Sequence, residues 1–174
     1  DCYILANDEG QAADDLALAK KLVAANPPLA GELDVLAKEI RRKDGRGTMQ
    51  ILPSRDVAGA HGKTAIFLGF DEIHGYRSHD IFEALALDPS RADAMMWITS
   101  YDALVRTPGI PIVDFKAAGQ ANQDPRMLFS WYSAELCTDP NFASLPPEER
   151  ANPSMHSWPE GRNYLDQQRR RLPA

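Results

Sequence analysis

The sequence predicts an α/β fold with a mostly parallel sheet, followed by a small helical C-terminal subdomain. Three observations carry that expectation. Residues 2–6 form a short apolar run that stops at a polar turn, and Ala12, Ala13, Leu16, Leu18, Ala19, Leu22 and Val23 then recur with helical spacing, the pattern of a βα unit. Ala65-Ile66-Phe67-Leu68-Gly69-Phe70 is continuously apolar or small, which suits a strand covered on both faces. A second such run spans residues 94–99.

The elements follow in order. The helix over 11–25 ends at Asn26-Pro27-Pro28, because proline lacks the amide that would continue it. Residues 33–40 and 48–52 flank a segment containing Asp44-Gly45 and read as a β-hairpin or a pair of adjacent strands. Residues 54–63, with Gly59, His61 and Gly62, read as a loop. After the apolar strand come a loop through Gly75, a helix near 80–87 stopped by Asp88-Pro89, and the buried strand 94–99 ending at Ser100-Tyr101. Beyond Pro108–Pro111 the character changes. Residues 123–137 are expected to be helical, with Phe129, Trp131 and Tyr132 as packing residues rather than a base-stacking platform. Pro146-Pro147-Glu148-Glu149 resembles a helix start, Ala151-Asn152-Pro153 its end, and 164–172 a final polar helix. The expected division is 1–125 and 126–174, with no internal repeat.

Composition excludes several classes. With 174 residues, 44% hydrophobic and 25% charged, the chain supports a real core, and its longest apolar run is far too short for a membrane span. Cys2 and Cys137 lack metal-ligand spacing, so reduced thiols are expected. A net charge of -6 argues against a general nucleic-acid surface. The basic clusters around Asp44-Gly45 and at Arg169-Arg170-Arg171 read as a solvated hairpin tip and a helix end that complements the helix dipole.

The chemistry is concentrated where the apolar strand runs into Asp71-Glu72. Parallel sheets bind ligands at the carboxyl ends of their strands, and an acid pair there either reaches solvent or faces a cation. Nucleotide hydrolysis uses such a pair, the first acid on magnesium and the second orienting or deprotonating the attacking water. This is the Walker B pattern. A strand ending in a solvated acidic turn has the same sequence, and both readings stay open at this point. The nearby Gly62-Lys63-Thr64 is not a phosphate-binding loop: position 57, where the first glycine belongs, is valine, and Thr64 opens a strand instead of a helix.

Taken with the 94–99 strand and Ile98-Thr99-Ser100-Tyr101, the stretch Asp71-Glu72-Ile73-His74 resembles the ATPase of phage terminase large subunits. Residues 6–12 with Gln11 before a helix, 54–62 before the acids, and Ala151-Asn152-Pro153-Ser154 resemble further terminase segments in the same order. The resemblance implies a three-layer P-loop-type (ASCE) ATPase core over 1–125, lacking the phosphate-gripping Walker A segment, and a helical connector to a nuclease domain over 126–174. It implies Asp71 as the magnesium ligand, Glu72 as the catalytic acid-base residue, and Thr99 and Ser100 as the coupling motif. His74 is the candidate nucleotide sensor and Arg55 the candidate arginine acting in trans. It further implies Mg2+ with ATP, and a motor that moves double-stranded viral DNA into procapsids. Its partners would be a small terminase subunit and a portal protein, in a ring on the procapsid in the cytoplasm of a bacterial host. A superfamily 2 (DEAH-like) helicase fragment and a non-enzymatic α/β interaction domain are the competing readings. The terminase reading requires the strand ending near Phe70 to be central, parallel to and beside the strand ending at Thr99.

Overall fold

The computed structural model describes residues 1–6, 8–102, 106–158 and 160–171. The chain divides into two compact units, Asp1–Ala117 and Ala118–Ala174.

The first unit begins with β1 (Cys2–Ala6) and α1 (Glu9–Ala24), whose N-cap is Asp8, its side chain accepting the Gln11 amide hydrogen bond. The prolines that end α1 open the next helix, α2 (Pro27–Glu32), because proline at a first helical position sacrifices no hydrogen bond. Then come β2 (Leu33–Val35), β3 (Glu39–Arg42), β4 (Thr48–Pro53), the one-turn α3 (Val57–Ala60), β5 (Thr64–Ala65) and β6 (Phe67–Asp71). A 3-10 turn (Ile73–Gly75), α4 (Asp80–Ala84), β7 (Ala86–Leu87) and β8 (Met95–Thr99) follow, before α5 (Pro111–Ala121).

The main sheet has the order β2-β3-β4-β1-β6-β8. β4, β1, β6 and β8 are mutually parallel, and β3 is antiparallel to both β2 and β4. β6 therefore lies inside the sheet between β1 and β8, and its Asp71 is in register with Thr99. The residues closing the four parallel strands, Pro53, Ala6, Asp71 and Thr99, share the carboxyl edge.

Period-2 alternation assigns the two faces of β6. Leu68 and Phe70 point to one side, where Leu5 of β1 joins them; Leu5 and Leu68 are fully buried. Phe70 stacks on Phe82 of α4 at 4.2 Å between ring centroids, and Phe82 meets Phe115 of α5 at 5.1 Å. On the opposite face lie Gly69, where a Cβ would come within 3.4 Å of Ile4, and Asp71, which Gln11 of α1 reaches. Helices thus cover both faces in three layers, which is why this strand tolerates an unbroken apolar sequence.

Several expectations need correction. The apolar run 65–70 is not one strand: Thr64–Ala65 pairs with Ala86–Leu87 in a separate two-stranded sheet, and Phe67 opens the central strand. The helix near 80–87 stops at Ala84 for that reason. The 54–63 loop contains a helical turn, capped by Asp56. Strand 94–99 is an edge strand rather than a buried one, with Met95, Trp97 and Thr99 exposed on one face.

The second unit departs furthest from expectation. Residues 123–137 are not helical. Ser133 Oγ accepts the Leu136 amide and Thr138 Oγ1 accepts the Trp131 amide, and such local bonds to side chains compete with helical ones. Tyr132 and Cys137 form an antiparallel bridge, and Phe129 stacks on Trp131 at 5.8 Å. The helix lies earlier, in α5, where Pro111 occupies the first position. Further on are α6 (Pro147–Arg150), a 3-10 turn (Pro153–His156) and α7 (Gly161–Arg171). Glu149 is buried and paired with Arg162.

Candidate functional site

The carboxyl ends of β6 and β8 are joined by hydroxyl groups. Thr99 Oγ1 donates to Asp71 Oδ1 at 2.7 Å, a bond that follows from the Asp71–Thr99 register. The same oxygen accepts the Glu72 amide at 3.0 Å. Asp71 Oδ2 accepts Gln11 Nε2 at 3.1 Å, so α1 holds the other side of the carboxylate. One residue further along β8, Ser100 Oγ accepts the His74 amide at 2.9 Å and lies 3.5 Å from His74 Nδ1. The His74 ring sits 5.3 Å from that of Tyr101.

Glu72 has φ 52° and ψ 45°, the left-handed region that a side chain disfavours by about 1–2 kcal/mol. The sharp turn there lets Ile73, fully buried, enter the core two residues after Asp71. Backbone strain of this kind persists only where the surroundings over-determine it, and it collects at functional sites.

A third carboxylate approaches from α1. Asp15 is four residues from Gln11 and therefore on the same helix face. Its Oδ2 is buried and has no hydrogen-bond partner among the described residues. Burial first, and then the charges of Asp71, Asp14 and Glu72, push its carboxyl above the ordinary aspartate value.

Among the described residues, no group of three or more His, Cys, Asp or Glu side chains is arranged to hold a metal ion by itself. Magnesium does not require one, since it takes one or two carboxylates and completes its shell with water and substrate phosphates. Asp71 Oδ1 accepts two hydrogen bonds, whereas Oδ2 accepts one from Gln11 and keeps a lone pair. With the orphaned oxygen of Asp15 nearby, this donor set fits a magnesium ion bound mainly through water and phosphate.

Of the residues singled out in the sequence, Asp71, Glu72, His74, Thr99 and Ser100 lie together. Arg55 is not bonded to them; it follows β4 and lines a cleft with Gly75, the last residue of the 3-10 turn that carries His74. Thr64 opens a strand rather than a helix. No local pattern singles out Asp15, and Gln11 stands out only as preceding a helix; the spacing of four between them is the one signal that puts both on one face.

No family model matches the sequence, and no curated protein matches it. The crystal structure of the large terminase of bacteriophage HK97 aligns with this chain at a TM-score of 0.66 and 19% sequence identity. The fold is terminase-like. The alignment covers 88% of this chain and 32% of the HK97 protein, so the chain spans about a third of that protein's length. Among the described residues, no helix is long and apolar enough to cross a membrane.

Proposed function

We propose that this chain is part of a large terminase subunit, and that its first unit contributes the hydrolytic half of an ATPase centre. What carries the reading is the hydrogen bond from Thr99 to Asp71 at the carboxyl ends of adjacent parallel strands, in a fold that aligns with a phage large terminase. An acid pair on an inner strand, beside a hydroxyl-bearing strand end, is the arrangement that nucleotide hydrolysis needs.

In this reading Asp71 holds magnesium through Oδ2, oriented by Gln11 and Thr99. Magnesium, when bound, neutralises charge on the phosphates. Glu72 orients the attacking water and takes its proton, from a main-chain position fixed by the buried Ile73. Thr99 and Ser100 connect the acid to the turn carrying His74, so that a change at Asp71 reaches both strands; this is the proposed coupling path, with His74 as nucleotide sensor. Arg55 is proposed to act on a neighbouring subunit's nucleotide. Residues 1–125 would form the partial ATPase core and 126–174 the connector. The phosphate cradle, the nuclease, and contacts with double-stranded DNA, small subunit and portal are assigned to the rest of a motor that works as a ring in the bacterial cytoplasm.

The sequence of the parent gene on either side of these residues tests the proposal. A GxxxxGK[ST] segment upstream and a nuclease domain with several spaced acids downstream are expected. A second RecA-like domain downstream would instead make the chain a helicase. The lack of any phosphate loop upstream would leave an interaction domain.

A further inference from the structure

The first unit contains seven arginines, and five have carboxylate partners. Arg41 pairs with Glu39, Arg42 and Arg46 with Asp44, Arg91 with Asp93, and Arg106 with Asp102. Arg55 and Arg77 are exposed and form no ion pair among the described residues. These two line the same cleft, a cavity of 610 Å³ bounded also by Ser54, Gly75, Tyr76 and Ser78.

We propose that this cleft is a phosphate-binding site, separate from Asp71 and Glu72, with Arg55 and Arg77 as its cationic arms and the Ser54 and Ser78 hydroxyls beside them. A guanidinium without a carboxylate keeps its forked donors for an incoming anion, and two of them converge here in a chain of net charge -6. The back wall carries no negative charge: Tyr76 donates to the Leu5 carbonyl, and burial pushes its hydroxyl up to about 12. Asp56, next to Arg55, accepts the Gly59 amide at 3.0 Å and caps α3. Asp80 opens α4, two residues after Ser78. The volume suits a small-molecule site. The cleft opens on the same carboxyl edge as the acids, between the turn after β4, which carries Ser54 and Arg55, and the segment Gly75–Ser78 that leaves the 3-10 turn after β6. The phosphate has two possible sources, a nucleotide or the backbone of DNA, and both offer the same anion.

The test titrates the 174-residue chain at low salt with a labelled short DNA duplex and, separately, with a labelled ATP analogue plus magnesium, followed by fluorescence anisotropy. Arg55→Gln and Arg77→Gln are each expected to weaken the ligand that binds by about tenfold. For duplex, each also lowers the slope of log affinity against log salt by about 1. Arg91→Gln, which breaks an ion pair elsewhere, should leave binding unchanged, and thermal melting confirms that each variant folds. The ligand that responds identifies the source. The site is overturned if neither ligand binds, if both cleft variants bind like wild type, or if Arg91→Gln weakens binding as much as they do. No turnover is measured, so the hydrolytic reading at Asp71 and Glu72 stands or fails independently of this result.

Discussion

Replacing Glu72 by glycine should stabilise the chain while removing the proposed general base. A side chain at φ 52° costs about 1–2 kcal/mol relative to ordinary backbone, and glycine has no such cost. Glycine's extra freedom in the unfolded chain takes back about 0.5–1 kcal/mol, so the mid-range values leave a net gain of about 0.75 kcal/mol. For a chain of this length that is a rise in Tm of roughly 1–4 °C. Glu72→Gln is the reference. It removes the same charge beside Asp15 and Asp71 but keeps the Cβ, so the difference between the two variants isolates the backbone contribution. The assay is thermal unfolding of wild type, Glu72→Gln and Glu72→Gly under identical buffer, followed by circular dichroism. Glycine melting at or below the glutamine variant would refute strain at this position. A gain in stability with a loss of activity is the trade-off expected where a site is held in an unfavourable conformation.

Other outcomes follow from the same geometry. Thr99→Val removes the hydroxyl that donates to Asp71 and should cost about 1 kcal/mol in urea denaturation, whereas Thr99→Ser, which keeps a donor, should lie between valine and wild type; identical midpoints for all three would contradict the bond's contribution. The raised carboxyl of Asp15 means that its folded-state pKa exceeds its unfolded one, so its favourable contribution is complete below the ordinary aspartate value of 3.8 and is lost as pH rises through the folded pKa. Asp15→Asn should therefore raise the melting temperature at pH 7, with the advantage disappearing in acid, and melting both proteins across that range checks the sign. In the second unit, a Cβ at Gly119 would run into the Phe129 ring. Gly119→Ala should destabilise by about 1 kcal/mol although alanine is the better helix former, because overpacking outweighs propensity; a more stable variant by denaturant titration would show that the ring moves aside freely.

What was legible in the sequence was set by local pattern. The unbroken run before Asp71 announced a strand covered on both faces, and Phe82 and Phe115 on one side with α1 on the other are the reason. The stop at Asn26-Pro27-Pro28 placed the end of α1 within a few residues, while the short helix α2 that the same prolines open had no periodic pattern to announce it. The 123–137 segment misled because its aromatics fall at helical intervals, while Ser133 and Thr138 divert the backbone with their own hydroxyls. Strand 94–99 looked buried because Met95 and Trp97 are apolar, yet β8 lies at the sheet edge and exposes them. Around the acids, adjacency in sequence put Asp71 and Glu72 together and the strand register brought Thr99 alongside. The Gln11 bond to Asp71 spans 60 positions and the approach of Asp15 depends on how α1 crosses the sheet, so no local pattern announces either.

The most direct test is the rate of magnesium-dependent ATP hydrolysis by the full-length parent protein with and without Glu72→Gln, each variant checked for folding and nucleotide binding. A hydrolytic centre at Asp71 and Glu72 predicts loss of turnover by roughly 10²- to 10⁴-fold with nucleotide still bound. Turnover equal to wild type in a folded Glu72→Gln protein would contradict it.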